Sequence, residues 1–472
     1  MKAFLAIVKQ TVRSAIRAKV FHVLFVLIIL AVFLLPVTIS GDGTAKGLVQ
    51  ISITYSLGIV VALISTTTLW LSCSQLSREI ESYNIHLVVS KPCPKWTLWV
   101  GKWTGIFLMH TAILVVSAAL IFALIQFRVR YETSKGHFSK VEIEQLDKEI
   151  RVGRRSFYPE PGNIMERVNA EYEKKKAAGE VEGQDPGGVK MEIRRQMVAK
   201  DGEVKPGTPK TWVFKGISNA KQDTLFLRYR IYSGSTYALE QRMMPCIWGL
   251  RVPDAKNVAD PFVYQPIEVL GGTFQEMGLD PNFIDKTDGN SITLRFVNPP
   301  ADPQFWRGAE ACSAMFQPND GPIILASICS FFENYCRAMV LAVFQIAFLA
   351  ALGCTVSAAF STPVAAFVAV AYLVIGLMVQ PAINAPLQND DGTYDYKGIW
   401  DRSAHYLAMT VGQLVVSVDD LDATSDLAKG GLVENSRLIR SFLTMMLIKT
   451  GLISGVGLWI IYRRELGAVI RR

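Results

Sequence analysis

Six long apolar runs constrain the fold of this chain more than any other feature. A membrane-spanning helix needs about twenty consecutive apolar residues, and each run reaches or nearly reaches that length. Of the 472 residues, 50% are hydrophobic and only 19% are charged, against roughly 25% charged in an average soluble domain. One such run could be a buried helix of a soluble core, but six of them predict a polytopic α-helical membrane protein with six transmembrane helices. The runs are Val20–Ile39, Ile51–Leu71, Gly105–Ile125, Ala338–Ala359, Val364–Ile383 and Phe442–Ile461.

The first run is predicted to be a retained helix, because it is longer than a signal-peptide core of about 7–15 residues and lacks an A-x-A cleavage pattern. The segment before it, Lys2–Lys19, repeats apolar and basic residues every four positions. This pattern predicts an interfacial amphipathic helix with its basic side chains among anionic headgroups; a simple cytoplasmic tail is the alternative. The apolar residues are Phe4, Val8, Val12 and Ile16, and the basic ones are Lys9, Arg13 and Arg17.

Charge predicts the orientation of the chain. If the N-terminus lies inside, the four inner segments hold thirteen Lys/Arg and three Asp/Glu, whereas the outer segment Asn384–Ser441 holds nine acidic and five basic residues. That is the positive-inside pattern, with both termini cytoplasmic in a bacterial inner membrane. The net charge of +8 is therefore explained by the basic inner segments of a membrane protein, and nucleic acid is not an expected partner. The inner segments are Met1–Lys19, Cys73–Thr104, Ser361–Pro363 and Tyr462–Arg472.

A long soluble insert separates the third and fourth apolar runs. We expect three regions: 1–126, with the amphipathic helix, three spans and a cytoplasmic loop at 73–104; 127–335, an extracytoplasmic domain; and 336–472, with three spans and a basic tail. Within the insert, residues of about 138–200 read as helical, with amphipathic patterns at Val141–Ile150 and Ile164–Ala178. Residues of about 210–300 read as β-rich.

The β-rich part alternates apolar and polar residues, as half-buried strands do. Alternation is clearest at Leu225–Tyr232 and at Ile292–Phe296, which follows an Asp288-Gly289-Asn290 turn; Trp212–Phe214 and Phe262–Tyr264 are further candidates. Several short strands separated by turns predict an inserted α+β domain with a β-sandwich or jelly-roll core.

The seven cysteines form no metal-binding pattern. Cys246 and Cys312 lie in the outer domain and could form a disulfide in an oxidising compartment. Cys329 and Cys336, seven apart, could share a helix face. Free buried thiols are the favoured interpretation for both pairs.

No catalytic motif is present in the chain. Gly101-Lys102-Trp103-Thr104 lacks the first glycine of a phosphate-binding loop and has Trp103 where that loop needs Ser or Thr directly after the lysine, and there is no G-x-S-x-G or H-E-x-x-H pattern. The chain is therefore not expected to be an enzyme or to bind a cofactor itself. If it uses energy, a partner must supply that energy.

Ionisable residues inside spans are functional candidates by default, and two stand out. Lys449 lies about two turns into the last run, where its ammonium could snorkel to the interface or contact a substrate; snorkelling is favoured. His110 in the third run is predicted to be a hydrogen-bonding group of the bundle interior. Because no chain of carboxylates or histidines crosses the bundle, a proton-driven transporter is disfavoured.

The segment Leu76–Gly105 is the strongest functional signal. It joins a charged helical stretch, a Ser-Lys-Pro break and a Trp-rich amphipathic run that enters the next span. An ordinary loop between spans needs only a few residues, so this segment is predicted to be a surface on which a cytoplasmic partner acts. Its candidate residues are Arg78, Glu79, Glu81, His86, Ser90, Lys91, Pro92, Trp96, Gly101 and Lys102.

At these residues the chain resembles the type 2 permeases of ATP-binding cassette (ABC) transporters. The run REIESYNIHLVVSKPCPKWTLWVGKW is similar to the family's loop between the second and third spans. Ala359–Pro363 resembles the short inner turn between the fourth and fifth spans, and Gly457–Gly467 resembles the final span with its Arg-Arg-Glu-Leu ending. The resemblance covers the membrane portion, and the large insert departs from the compact family pattern.

The resemblance implies a permease subunit of an exporter. Two such subunits, identical or paralogous, would bind two copies of a separate ATPase that holds ATP and magnesium, and the stretch Arg78–His86 would sit in a groove of each ATPase. The alternative is a membrane-anchored binding or scaffold protein that acts through its outer domain. The sequence does not name a substrate.

Overall fold

A computed structural model describes residues 2–34, 38, 43–82, 84, 94–160, 164–181, 186–217, 225–234, 243–253, 259–306, 310–317, 320–384, 399–414 and 423–464. The chain forms two compact units. The helical unit comprises Met1–Gly153, Ser330–Ala385 and Ser403–Arg472, and the β unit comprises Arg154–Cys329 and Pro386–Arg402.

Helices make up the first unit, and three of them contain or continue into π-helical stretches, at Leu30–Leu34, Ser52–Leu57 and Phe442–Lys449. The helices are α1 (Lys2–Arg17), α2 (Lys19–Ile29), α3 (Ala45–Ile51), α4 (Gly58–Glu81), α5 (Lys95–Ser134), α6 (Lys140–Glu149), α10 (Phe331–Ala359), α11 (Thr362–Asn384), α12 (Ile399–Leu414), α13 (Thr424–Ala428), α14 (Asn435–Ser441) and α15 (Thr450–Arg463). Helices α7 to α9 belong to the β unit and are given below.

Within the described residues, five helices are long and apolar enough to cross a membrane. A sixth is reached only if α1 and Lys19–Leu34, which bend by 67° from one another, count as one span. These helices are consistent with the predicted helical membrane protein, while the count of six spans remains a prediction. The five candidate spans are Ala45–Glu81, Lys95–Ser134, Phe331–Ala359, Thr362–Val379 and Asn435–Arg463.

The core of the helical unit lies where α4 and α5 pack on α10. Ile64, Leu114 and Leu341 are fully buried there within one apolar cluster. A buried asparagine, Asn334, orients the loop before α14. Its side-chain amide donates to the Gly431 carbonyl, and its carbonyl oxygen accepts from the Val433 N–H, both at 2.8 Å.

The β unit contains eleven described strands and three helices. The helices are α7 (Ile164–Ala177), α8 (Pro186–Gly202) and α9 (Pro303–Trp306). The strands are β1 (Val152–Phe157), β2 (Glu203–Val204), β3 (Pro209–Phe214), β4 (Leu225–Arg230), β5 (Tyr232–Ser233), β6 (Met243–Arg251), β7 (Phe262–Leu270), β8 (Phe274–Leu279), β9 (Ile292–Val297), β10 (Ala314–Met315) and β11 (Ile323–Ser330).

Two four-stranded sheets, of order β1-β11-β4-β8 and β3-β9-β6-β7, accompany a small sheet of order β2-β10-β5. β4 alternates strictly between buried and half-buried residues, and so does β9. The buried sets of β4, β6, β9 and β11 join one apolar cluster around Trp248. Period-two alternation thus places one face of each sheet against a shared core.

Strands also occur outside the predicted β range. β1 lies within the stretch that reads as helical, while β10 and β11 follow residue 300. The predicted strands at Trp212–Phe214, Leu225–Tyr232, Phe262–Tyr264 and Ile292–Phe296 all fall on or within observed strands, apart from a break at Ile231. The predicted turn is made by Gly289 and Asn290, both with positive φ.

The described cysteines are all free thiols, so neither candidate disulfide is formed. Cys246 and Cys312 are both buried in the β unit. Cys329 lies in β11 and Cys336 in α10, so the expectation of a shared helix face is wrong.

The apolar run before Phe331 is extended and ends in Ser330, whose hydroxyl caps α10 by accepting from the Glu333 N–H.

Candidate functional site

The charged segment singled out by the sequence divides between two long helices. Arg78, Glu79 and Glu81 form the last turn of α4, and this turn continues the candidate span Ala45–Glu81 without a break. Trp96, Gly101 and Lys102 lie in the first turns of α5. The remaining candidates, His86, Ser90, Lys91 and Pro92, lie outside the described residues.

A buried ion pair joins these two helix ends. The Lys102 ammonium donates to Oε1 of Glu79, and the two side chains are 2% and 17% exposed. A buried ammonium without a counter-charge loses several kcal/mol of solvation, so the carboxylate is needed where it lies. Arg78 forms no ion pair with Glu81 or with any other described residue, although the spacing allows a local pair.

The end of α4 also contacts the turn between α10 and α11. The Ser77 hydroxyl donates to the Phe360 carbonyl at 2.9 Å and lies 3.1 Å from that of Ser357. The Thr362 N–H donates to Oε1 of Glu81 at 3.2 Å. A carboxylate beside the first N–H groups of α11 is favourable, because these groups have no partner within the helix.

The last helix ends at the same place. The Lys95 ammonium donates to the carbonyls of Tyr462 and Arg464, each at 3.3 Å. The Arg464 guanidinium donates to the Ala358 carbonyl. A cation at the C-terminal carbonyls of α15 is again the favourable arrangement for a helix end.

Aromatic residues of α5 pack beneath these polar contacts. Trp99, Trp103 and Phe107 form a stacked series with centroid separations of 6.4 and 5.6 Å. The Trp103 indole donates to the Ala347 carbonyl at 3.0 Å. Trp99 needs a glycine on α15, since a Cβ built at Gly457 would lie 2.6 Å from its indole nitrogen.

We call this set of contacts the junction: the ends of α4 and α15, the start of α5, and the turn between α10 and α11. Its charged side chains Glu79, Lys95, Lys102 and Arg464 all bond within the chain. Arg78 and Trp96 are exposed. The junction can therefore act as a rigid connector, with its exposed groups free for a partner.

Helix α1 packs on the start of α5 by a face that the sequence interpretation missed. Its buried residues are Ile7, Thr11 and Ala15, one per turn. A Cβ built at Gly101 would lie 2.8 Å from Ile7, and one built at Gly105 would lie 2.8 Å from Thr11. The Gly-x-x-x-Gly spacing signals such a close helix approach and could have predicted this contact. Phe4, Val8 and Val12 are half-buried beside the contact, and Ile16 is exposed.

The two intramembrane candidates lie apart from the junction. His110 is buried, and its Nδ1 lies 3.0 Å from the Ile106 carbonyl of its own helix. Lys449 ends the π-helical stretch Phe442–Lys449 and is half-buried. Among the described residues, no group of three or more His, Cys, Asp or Glu is placed to hold a metal ion.

No protein-family model, curated protein or solved structure matches the chain. The likeness to type 2 ABC permeases therefore rests on the motifs of the membrane portion alone.

Proposed function

We propose that the chain is the permease subunit of an ABC exporter. One observation carries the proposal: the junction joins the three segments that resemble the family. Glu81 of the loop motif accepts from the Thr362 N–H of the inner turn. Lys95 of the loop motif donates to the carbonyls of Tyr462 and Arg464 in the final motif. Arg464 in turn donates to the Ala358 carbonyl, one residue before the inner turn. Segments more than 280 residues apart meet at one end of the bundle.

These contacts suggest how force could be transmitted. A push by an ATPase on the loop after Glu81 would act on α4, on α5 through Lys102, and on α11 through Thr362. The contacts of Lys95 with the end of α15 would transmit the same force to this last helix. Closure of the ATPase pair on ATP would thus tilt four helices together instead of bending one loop.

The finer assignments belong to the same proposal. The first of six spans is Val20–Ile39, and both termini are cytoplasmic at the bacterial inner membrane. The β unit is a periplasmic or extracellular sandwich formed by the two four-stranded sheets. The partners are a second permease subunit and an ATPase that binds ATP and magnesium.

Co-purification tests this proposal. The tagged full-length protein, extracted from its native membrane in mild detergent, should carry an ABC ATPase in stoichiometric amount, identified by mass spectrometry. Glu81→Lys should reduce the recovered ATPase sharply, because reversal of a close contact charge costs several kcal/mol of association. Lys286→Glu, at an exposed position of the β unit, is the matched control. An intact complex without an ATPase would contradict the proposal and favour the scaffold alternative.

A further inference from the structure

A basic groove runs between α1 and the C-terminal half of α4. It encloses about 770 Å³, and its walls include Lys9, Arg13 and Arg17 from α1 and Arg78 from α4. Leu71 is also part of the lining. The sequence predicts only a basic band on α1; the structure adds a second wall with a fourth cation facing that band.

The charge of this groove is not balanced within the described part of the chain. All four cations are exposed, and none forms an ion pair with a described residue. Glu79, the one carboxylate in the lining, already accepts from Lys102. Like charges four residues apart on a helix repel, so Lys9, Arg13 and Arg17 favour a bound anion.

The surroundings of the groove point to a membrane lipid. Leu71 packs with Ala15 of α1 and Met109 of α5, and it belongs to the candidate span Ala45–Glu81. Successive residues of α1 are rotated by about 100° around the helix axis. On this basis the apolar residues Leu5 (59% exposed) and Ile16 (44% exposed) lie between the buried face of α1 and its basic residues. Acyl chains on this apolar face would place a headgroup beside the cations.

We propose that the groove binds the phosphate of a single anionic phospholipid headgroup. Basic pockets between membrane helices are suited to such headgroups, and the volume lies within the range of about 300–1,000 Å³ typical of small-ligand sites. An acidic protein segment would satisfy the cations but would leave Leu5 and Ile16 uncovered. The proposal needs only a membrane location and does not depend on the transport function.

Binding of a fluorescent phosphatidylglycerol to the purified full-length protein in a neutral detergent tests this site. Arg13→Gln with Arg78→Gln should weaken the affinity about thirtyfold, from the typical contribution of two basic residues. Arg13→Lys with Arg78→Lys should keep the affinity within about threefold. The matched control is Lys2→Gln with Lys19→Gln, which removes two charges from the same segment without altering the groove lining.

Three outcomes would overturn the proposal. An equal loss in the Lys2 and Lys19 control would indicate diffuse surface attraction instead of a site. Displacement of the lipid by millimolar inorganic phosphate, as effective as by unlabelled phosphatidylglycerol, would indicate a site for free phosphate. Unchanged lipid affinity in the Arg13→Gln, Arg78→Gln protein, together with loss of a co-purified protein, would indicate an acidic protein partner.

Discussion

The contact between Glu79 and Lys102 limits what each of these side chains can do. A glutamate at the end of a charged helix invites assignment as a contact for a partner. In the structure its carboxylate faces a lysine that is only 2% exposed. Removing the carboxylate would leave a buried ammonium unpaired. The main role of Glu79 is therefore to join α4 to α5.

Glu79→Gln should therefore destabilise the protein by about 3 kcal/mol, the usual cost of breaking a largely buried pair. The double variant Glu79→Gln, Lys102→Met should recover most of that loss, because no buried charge remains. Glu81→Gln, at an exposed position, should change stability by about 0.5 kcal/mol or less. Thermal unfolding in detergent gives the comparison, and equal midpoints for the Glu79 and Glu81 variants would contradict the assignment.

Gly353 lies where α10 approaches α4. A Cβ built there would lie 1.8 Å from Oγ and 2.7 Å from Cβ of Ser72, so the helices must separate to admit it. Gly353→Ala should destabilise by about 1–3 kcal/mol through overpacking. Gly455→Ala is the control, since nothing lies within 4 Å of its Cβ position and alanine favours the helix. The two variants should shift the thermal midpoint in opposite directions; a matching shift would contradict the close approach.

At the element scale, local periodicity explains which elements the sequence could predict. β4 and β9 alternate because each buries one face, and the long spans stand out by length. β11 (IILASICS) has no alternation, since five of its eight residues are buried and four of these are consecutive, and it runs directly into the apolar helix α10. Period alone cannot separate such a buried strand from the start of a membrane helix.

β11 also determines whether the β unit can fold alone. It is the second strand in the order β1-β11-β4-β8 and supplies Ile324 and Ala326 to the core. A fragment of residues 154–329 should be soluble, with a mainly β circular dichroism spectrum and cooperative urea unfolding. A fragment of residues 154–322 lacks β11, leaving β1 and one edge of β4 unpaired, and should not unfold cooperatively. Equal unfolding midpoints for the two fragments would contradict the role of this strand.

At the scale of the whole molecule, charge and hydropathy predict the spans and their orientation, while the junction could not be predicted. Its bonds join residues as far apart as Lys95 and Arg464, and backbone carbonyls accept several of them. A carbonyl is present at every residue, so no sequence pattern marks the one that Ser77 or Lys95 contacts. The motifs identify the segments that matter, and only the fold brings them together.

Cysteine labelling tests the orientation on which the functional proposal depends. Cys246 is a poor reporter, because it is buried and burial raises the pKa of its thiol to about 12. In a protein without its native cysteines, Ser82→Cys marks the end of α4 and Lys286→Cys marks the β unit; both positions are exposed. On intact spheroplasts, a membrane-impermeant maleimide should label Lys286→Cys and spare Ser82→Cys. After lysis both should react, which controls for accessibility. Labelling of Ser82→Cys in sealed cells would place the junction outside, beyond the reach of a cytoplasmic ATPase.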